Sequence, residues 1–143
     1  MADTLPLKVA KRRIALVWLF GAGGPFALLA AQSLIGHYGD SASAVWSWFL
    51  GAVSPTLGLI IAVLAADAVQ REPGTREVDR FFYRLALGLS LAYLLALLAV
   101  ILSEPLVQPD GGLPELVRNS GAWVGALQGL VTAALGVFYV RKT

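Results

Sequence analysis

The sequence contains no cysteine, one histidine and few charges, with only 14% of its 143 residues being Asp, Glu, Lys or Arg. Without cysteine there are no disulfides, iron–sulfur clusters, thiolate metal sites or cysteine nucleophiles. With His37 alone, a haem held by two histidines of one chain is excluded. The shortage of charge excludes a soluble globular domain, which carries about 25% charged residues to face water. Disorder is excluded by the opposite abundance, since 57% of the residues are hydrophobic. The basic excess is a net charge of only +2, too little for the water-facing basic surface that nucleic acid requires.

What is there is apolar sequence in long runs. Crossing the hydrocarbon of a bilayer takes about 20 mainly apolar helical residues. Four segments qualify, from about Ile14 to Gly36, Ala44 to Val69, Phe81 to Leu102 and Gly121 to Val140. They are rich in Leu and Ala and do not alternate as barrel strands do. The sequence therefore predicts a single all-α transmembrane domain, a four-helix bundle spanning residues 1–143. The first run is too long for a signal-peptide core of about 7–15 residues. Residues 37–43 form a tight turn and residues 70–80 a charged hinge broken by Pro73-Gly74. Residues 103–120 form the one sizeable loop. Within it, Pro114 is expected to open a short amphipathic helix resting on the membrane surface, with Leu113, Leu116 and Val117 on one side.

Charge sets the orientation. Lys8, Lys11, Arg12 and Arg13 precede the first span, Arg71, Arg76, Arg80 and Arg84 lie around the hinge, and Arg141 and Lys142 follow the fourth. If the spans alternate, ten of the 11 basic residues share one side and only Arg118 takes the other. The positive-inside rule then places both termini in the cytoplasm, with a bacterial-type plasma (inner) membrane as the expected location. Asp40, Glu104, Asp110 and Glu115 make the outer side acidic. Trp46, Trp48, Trp123 and Tyr38 form an outer aromatic belt, and Phe81, Phe82, Tyr83, Phe138 and Tyr139 an inner one.

Several motifs admit a structural and a functional reading. Gly21, Gly23, Gly24 and Pro25 lie near the middle of the first span. This is no phosphate loop, because such loops follow a strand and face water. Pro25 withholds an amide hydrogen from the Gly21 carbonyl. The result is either a packing kink or a functional helix break of the kind transporters use. Ser54, Pro55 and Thr56 interrupt the second span at similar depth. The two prolines are then either independent kinks or the walls of a crevice. Gly121, Gly125 and Gly129, extended by Ala133 and Gly136, place small residues on one face of the fourth span. Such a face lets a second helix come close, within one subunit or between subunits. Spans two and three carry weaker small-residue rows, Gly58, Ala62, Ala66 and Gly88, Ala92, Ala96.

Asp67 is the only acid inside a predicted span, and Arg71 at i+4 or Arg84 is its expected partner in a cytoplasmic charge cluster. The alternative is a cation or proton site. No acid stands at mid-depth, which argues against proton-coupled exchange. Gln128 reads as an interhelical hydrogen bond or a pore-lining group. The other intramembrane polar residues are Gln32, Ser33, Ser47, Ser90, Tyr93 and Thr132. Ser33 and His37 share a helix face, but no third group completes an acyl-transfer site. Ser43-Ala44-Val45-Trp46 and Ser120-Gly121-Ala122-Trp123 form a faint internal echo.

The first span lacks the glutamate of the small multidrug exporters, and the chain lacks the cysteine pairs of quinone-linked thiol oxidoreductases. No catalytic residue, cofactor or metal site is expected. The expectation is a non-enzymatic protein whose partners are membrane lipids and either further copies of itself or the subunits of a membrane complex. It would form a passive channel, pore or permeabilising effector, or else serve as an accessory or anchoring subunit.

Overall fold

The apolar runs fold, in a computed structural model describing residues 3–69, 76–107 and 112–140, into long helices joined by short connections. The elements are strand β1 (Thr4–Pro6), helix α1 (Leu7–Leu34), a 3-10 turn (Gly39–Ser41), α2 (Ala42–Val69), β2 (Glu77–Asp79), α3 (Arg80–Leu102), a short α4 (Glu104–Val107) and α5 (Gly112–Val140). The four long helices are each long and apolar enough to cross a membrane. At 1.5 Å per residue they measure about 35–43 Å, more than the roughly 30 Å of hydrocarbon in a bilayer.

Two helices begin earlier than hydropathy alone predicts. α1 starts at Leu7 rather than near Ile14, because Lys8–Arg13 is made of good helix formers and simply continues the apolar helix into the polar zone. α5 starts at Gly112 rather than Gly121. The separate amphipathic helix expected on the membrane surface is not formed. Its residues are the first turns of α5, with Leu113 fully buried. Gly112 opens the helix from the left-handed region (φ 65°), and Pro114 sits in the first turn, where its missing amide hydrogen costs nothing. Pro109, Asp110 and Gly111 lie outside the described residues. α1 and α2 run through Pro25 and Pro55 without interruption.

The strand pair was not legible in the sequence. β1 and β2 are antiparallel, with Thr4 opposite Asp79, Leu5 opposite Val78 and Pro6 opposite Glu77. The ladder is extended by Leu7 N–H to the Arg76 carbonyl (2.8 Å) and Arg80 N–H to the Asp3 carbonyl (3.0 Å). Thr4 Oγ1 donates to Glu77 at 2.6 Å, and Arg80 pairs with Asp3 at 2.6 Å. Asp79 caps α3 by accepting from Phe81 N–H at 2.7 Å. These bonds start α1 and α3 side by side, parallel and at one level.

α1 packs on α2 and α3, and α5 packs on the same two. The helices thus run around the bundle as α1, α2, α5, α3, with α2 and α3 across a diagonal although they are consecutive. Trp18, Tyr93, Phe49, Ile14, Leu29, Leu97, Leu113 and Leu135 fill the centre. Large apolar side chains also cover the outside, Phe20 at 75% exposure being an example.

Candidate functional site

The features singled out by sequence fall into three places. The first is the outer face of α5. Gly121, Gly125 and Gly129 are exposed, and a Cβ built at any of them, or at Gly136, meets nothing within 4 Å. These glycines take no part in packing within the chain. Ala122, Trp123, Ala126, Leu130, Ala133 and Val137 share the exposed surface with them. It is a surface of exposed backbone flanked by small and aliphatic groups, with the Trp123 indole N–H as the one polar side-chain group among these residues. Gly58 and Gly88 are likewise exposed with open space around them.

The close helix contact inside the bundle is elsewhere. A Cβ on Gly21 would lie 2.6 Å from Cδ1 of Leu94, so at Gly21 the Leu94 side chain of α3 packs directly on the backbone of α1. Gly23 and Gly24 face outward into open space. The glycine-rich centre of α1 therefore contains one packing position and two outward-facing ones.

The second place is the bend position of α2. Pro55 and Ser54 are exposed, whereas Thr56 is fully buried, and Pro25 of α1 is buried. The prolines turn to different environments and do not line one crevice. Pro55 cannot donate to the Gly51 carbonyl one turn back. Gln128 of α5 supplies the missing donor, its Nε2 lying 2.8 Å from that oxygen. One residue on, the Ala52 carbonyl accepts from the Tyr93 hydroxyl of α3 at 2.8 Å. Thr56 Oγ1 lies 3.3 Å from Thr132 Oγ1 of α5. The proline leaves only the Gly51 carbonyl short, and a side chain of α5 supplies its donor; the other two bonds tie the same turn of α2 to α3 and α5.

The third place is the pair of bundle ends, and here the sequence-based pairing needs correction. Asp67 does not pair with Arg84, which is exposed, and Arg71 lies outside the described residues. Its partner is Lys11 of α1, with Nζ 2.8 Å from Oδ2. The Lys11 side chain is 9% exposed and that of Asp67 51%. Tyr139 of α5 donates to the Lys11 carbonyl at 2.7 Å, and its ring centroid lies 5.9 Å from Nζ. The cluster joins α1, α2 and α5. Lys11 reads as one of a basic surface group, yet it begins the buried row Lys11, Ile14, Trp18, Ala22, Pro25, Leu29. That row of three- and four-residue steps was available in the sequence.

At the other end His37 and Glu104 meet at 2.7 Å, linking the α1–α2 turn to α4. Glu104 is only 7% exposed. Tyr38 donates to Gln32, and burial, with the Glu104 carboxylate as a lesser cause, pushes its hydroxyl up to about 12. Ser33 is engaged by Trp46, whose Nε1 donates to it at 2.8 Å, so Ser33 and His37 serve separate bonds. The Ser43 and Ser120 echo positions differ as well, Ser43 being exposed and Ser120 buried. Nothing in the sequence couples His37 to Glu104, which are 67 residues apart.

Among the described residues no three His, Asp or Glu side chains come together as a metal site. Among the described residues the chemistry on offer is packing, hydrogen bonding and the ion pairs Lys11–Asp67, Arg80–Asp3 and Arg118–Glu115, with His37 bonded to Glu104. No family model matches this chain, and neither curated proteins nor solved structures show a significant likeness to it.

Proposed function

We propose that this is a non-catalytic membrane protein that works by association, copies packing through the glycine face of α5 to form a passive channel or permeabilising assembly. The supporting observation is that Gly121, Gly125 and Gly129 are exposed, with open space where a side chain would stand. In lipid, apolar surface gives no drive to associate; close backbone approach and van der Waals contact do. A face that brings the backbone to the surface, on the least buried of the four long helices, has that chemistry. The bundle interior is filled by side chains such as Trp18, Phe49 and Leu135, so the conducting path lies between copies. Both termini face the cytoplasm of a bacterial-type plasma membrane, on the positive-inside rule applied to the end bearing Lys8, Arg12, Arg13 and Arg84.

A second reading is favoured by one observation. Apart from the Trp123 indole N–H, the residues of the α5 face carry no polar side-chain group to line a water path. The same surface would fit a helix of another protein, which would make this chain an accessory or anchoring subunit. Purified protein in liposomes separates the two. The channel reading expects dye leak or ion flux that falls, together with chemical crosslinking between copies, in Gly125→Leu. Tight liposomes at high protein density, with recovery of a partner at fixed stoichiometry from native membrane, would establish the accessory reading instead.

A further inference from the structure

Trp18 of α1 and Ser90 of α3 are both 0% exposed, and neither Trp18 Nε1 nor Ser90 Oγ has a hydrogen-bond partner within the protein. Other serines show where a helical hydroxyl goes by default. Ser103 donates back to the Ala99 carbonyl at 2.6 Å, and Ser120 to the Val117 carbonyl at 3.3 Å. Ser90 makes no such bond and is left without a partner. The indole N–H of Trp18 can only donate and has no acceptor.

The two groups belong to one layer of the bundle. α1 and α3 are parallel, and their register is fixed by Gly21 against Leu94 and by the Trp18 and Tyr93 rings, 5.9 Å apart. Trp18 therefore stands at the turn that carries Ser90. Tyr93 reaches the Ala52 carbonyl of α2, and Thr56, one turn further along α2, meets Thr132 of α5. Trp18, Thr56, Ser90 and Thr132, one from each long helix, thus fall within about one helical turn (5.4 Å) of a common level. Apolar side chains close the layer on both sides. Leu29, Phe49 and Leu97 lie towards the His37 end, and Ile14, Ile60 and Leu135 towards the Lys11 end.

We propose that this layer is a binding site for water, with at least one molecule accepting the Trp18 hydrogen and bridging it to Ser90 Oγ. Water meets the chemistry of both groups. Its oxygen accepts from the indole, and it donates to or accepts from a hydroxyl, with Thr56 and Thr132 as further partners. Buried waters typically take about three such bonds. At this depth the lipid offers no alternative acceptor, and an unmade bond is at its most costly. The site lies inside each copy and is closed by apolar layers, so it stands independently of any path between copies.

The test uses the full chain in deuterated micelles with nitrogen-15-labelled tryptophan. The indole proton of Trp18, assigned by its loss in Trp18→Phe, should show a direct cross-relaxation peak to water. Absence of that peak, while half-exposed Trp123 gives one, would overturn the proposal. The midpoints of denaturant unfolding give a second readout. Trp18→Phe and Ser90→Ala should each lower the midpoint, and the double variant should fall no further than the worse single. Additive losses, or a rise in Trp18→Phe from relief of an unpaired donor, would count against a shared water.

Discussion

Gln128 donating to the Gly51 carbonyl invites a quantitative test, because Pro55 is the reason that carbonyl needs a donor. In Gln128→Leu the oxygen keeps its depth and loses its partner. Hydrogen bonds between membrane helices average about 0.6 kcal/mol and reach about 1.7 kcal/mol. Gly51 is exposed at the surface of the bundle and Gln128 partly so, which places this bond near the average rather than the maximum. The loss should therefore be about 0.5–1 kcal/mol in mixed-micelle unfolding. Pro55→Ala restores an amide hydrogen one turn from Gly51, so in that background the helix satisfies its own carbonyl. Gln128→Leu should then cost close to nothing. The double-mutant cycle should give a coupling comparable to the single loss. Equal costs of Gln128→Leu in the two backgrounds would refute the link between the proline and the glutamine.

Further outcomes follow from the geometry. Asp67→Asn should destabilise more than Lys11→Met, since it strands a cation whose side chain is 9% exposed, whereas Asp67, half exposed, can turn to solvent; equal unfolding midpoints would contradict this. Gly21→Val should loosen the α1–α3 contact by about 1–3 kcal/mol, while Gly23→Val and Gly24→Val, facing open space, should cost nothing and gain the few tenths of a kcal/mol by which valine exceeds glycine in helix propensity. Because burial pushes the Tyr38 hydroxyl up from about 10 to about 12, its contribution is complete below pH 10 and is lost as pH rises to 12; Tyr38→Phe should lessen the alkaline decline in the unfolding midpoint. Leu106, 84% exposed in a chain without cysteine, makes Leu106→Cys a clean topology probe. An impermeant thiol reagent should label it from outside intact cells, and labelling only after lysis would reverse the orientation.

The existence of four long apolar helices was legible because the signal is long: a run of about 20 apolar residues exceeds what a strand or a buried core helix of a water-soluble domain needs. Their ends were less so. Hydropathy stops at Ile14 and Gly121, but Lys8–Arg13 and Gly112–Ser120 carry on the helix, because helix propensity does not stop where apolarity does. Strands of three residues containing Pro6 have no readable period, and their pairing joins positions over 70 apart. The carbonyl orphaned by Pro55 is legible from the proline alone, and Gln128 is visible as a candidate interhelical donor. That the two meet depends on α2 and α5 lying side by side, which no local pattern specifies. Sequence pairs Asp67 locally with Arg71 or Arg84 because i+4 neighbours are visible in it, whereas Lys11 comes from another helix. The α5 glycines are visible as a face; only the packed bundle shows that the face looks outward.

Association through that face is most directly measured by single-molecule photobleaching of labelled protein across a dilution series in liposomes. Wild-type protein should show multi-step bleaching that gives way to single steps on dilution into excess lipid. Gly125→Leu and Gly129→Leu should bleach in single steps at densities where wild type is assembled, with unfolding midpoints close to wild type because the new side chains meet open space. Single-step bleaching of wild type at every density, or unchanged assembly in both variants, would contradict association through α5.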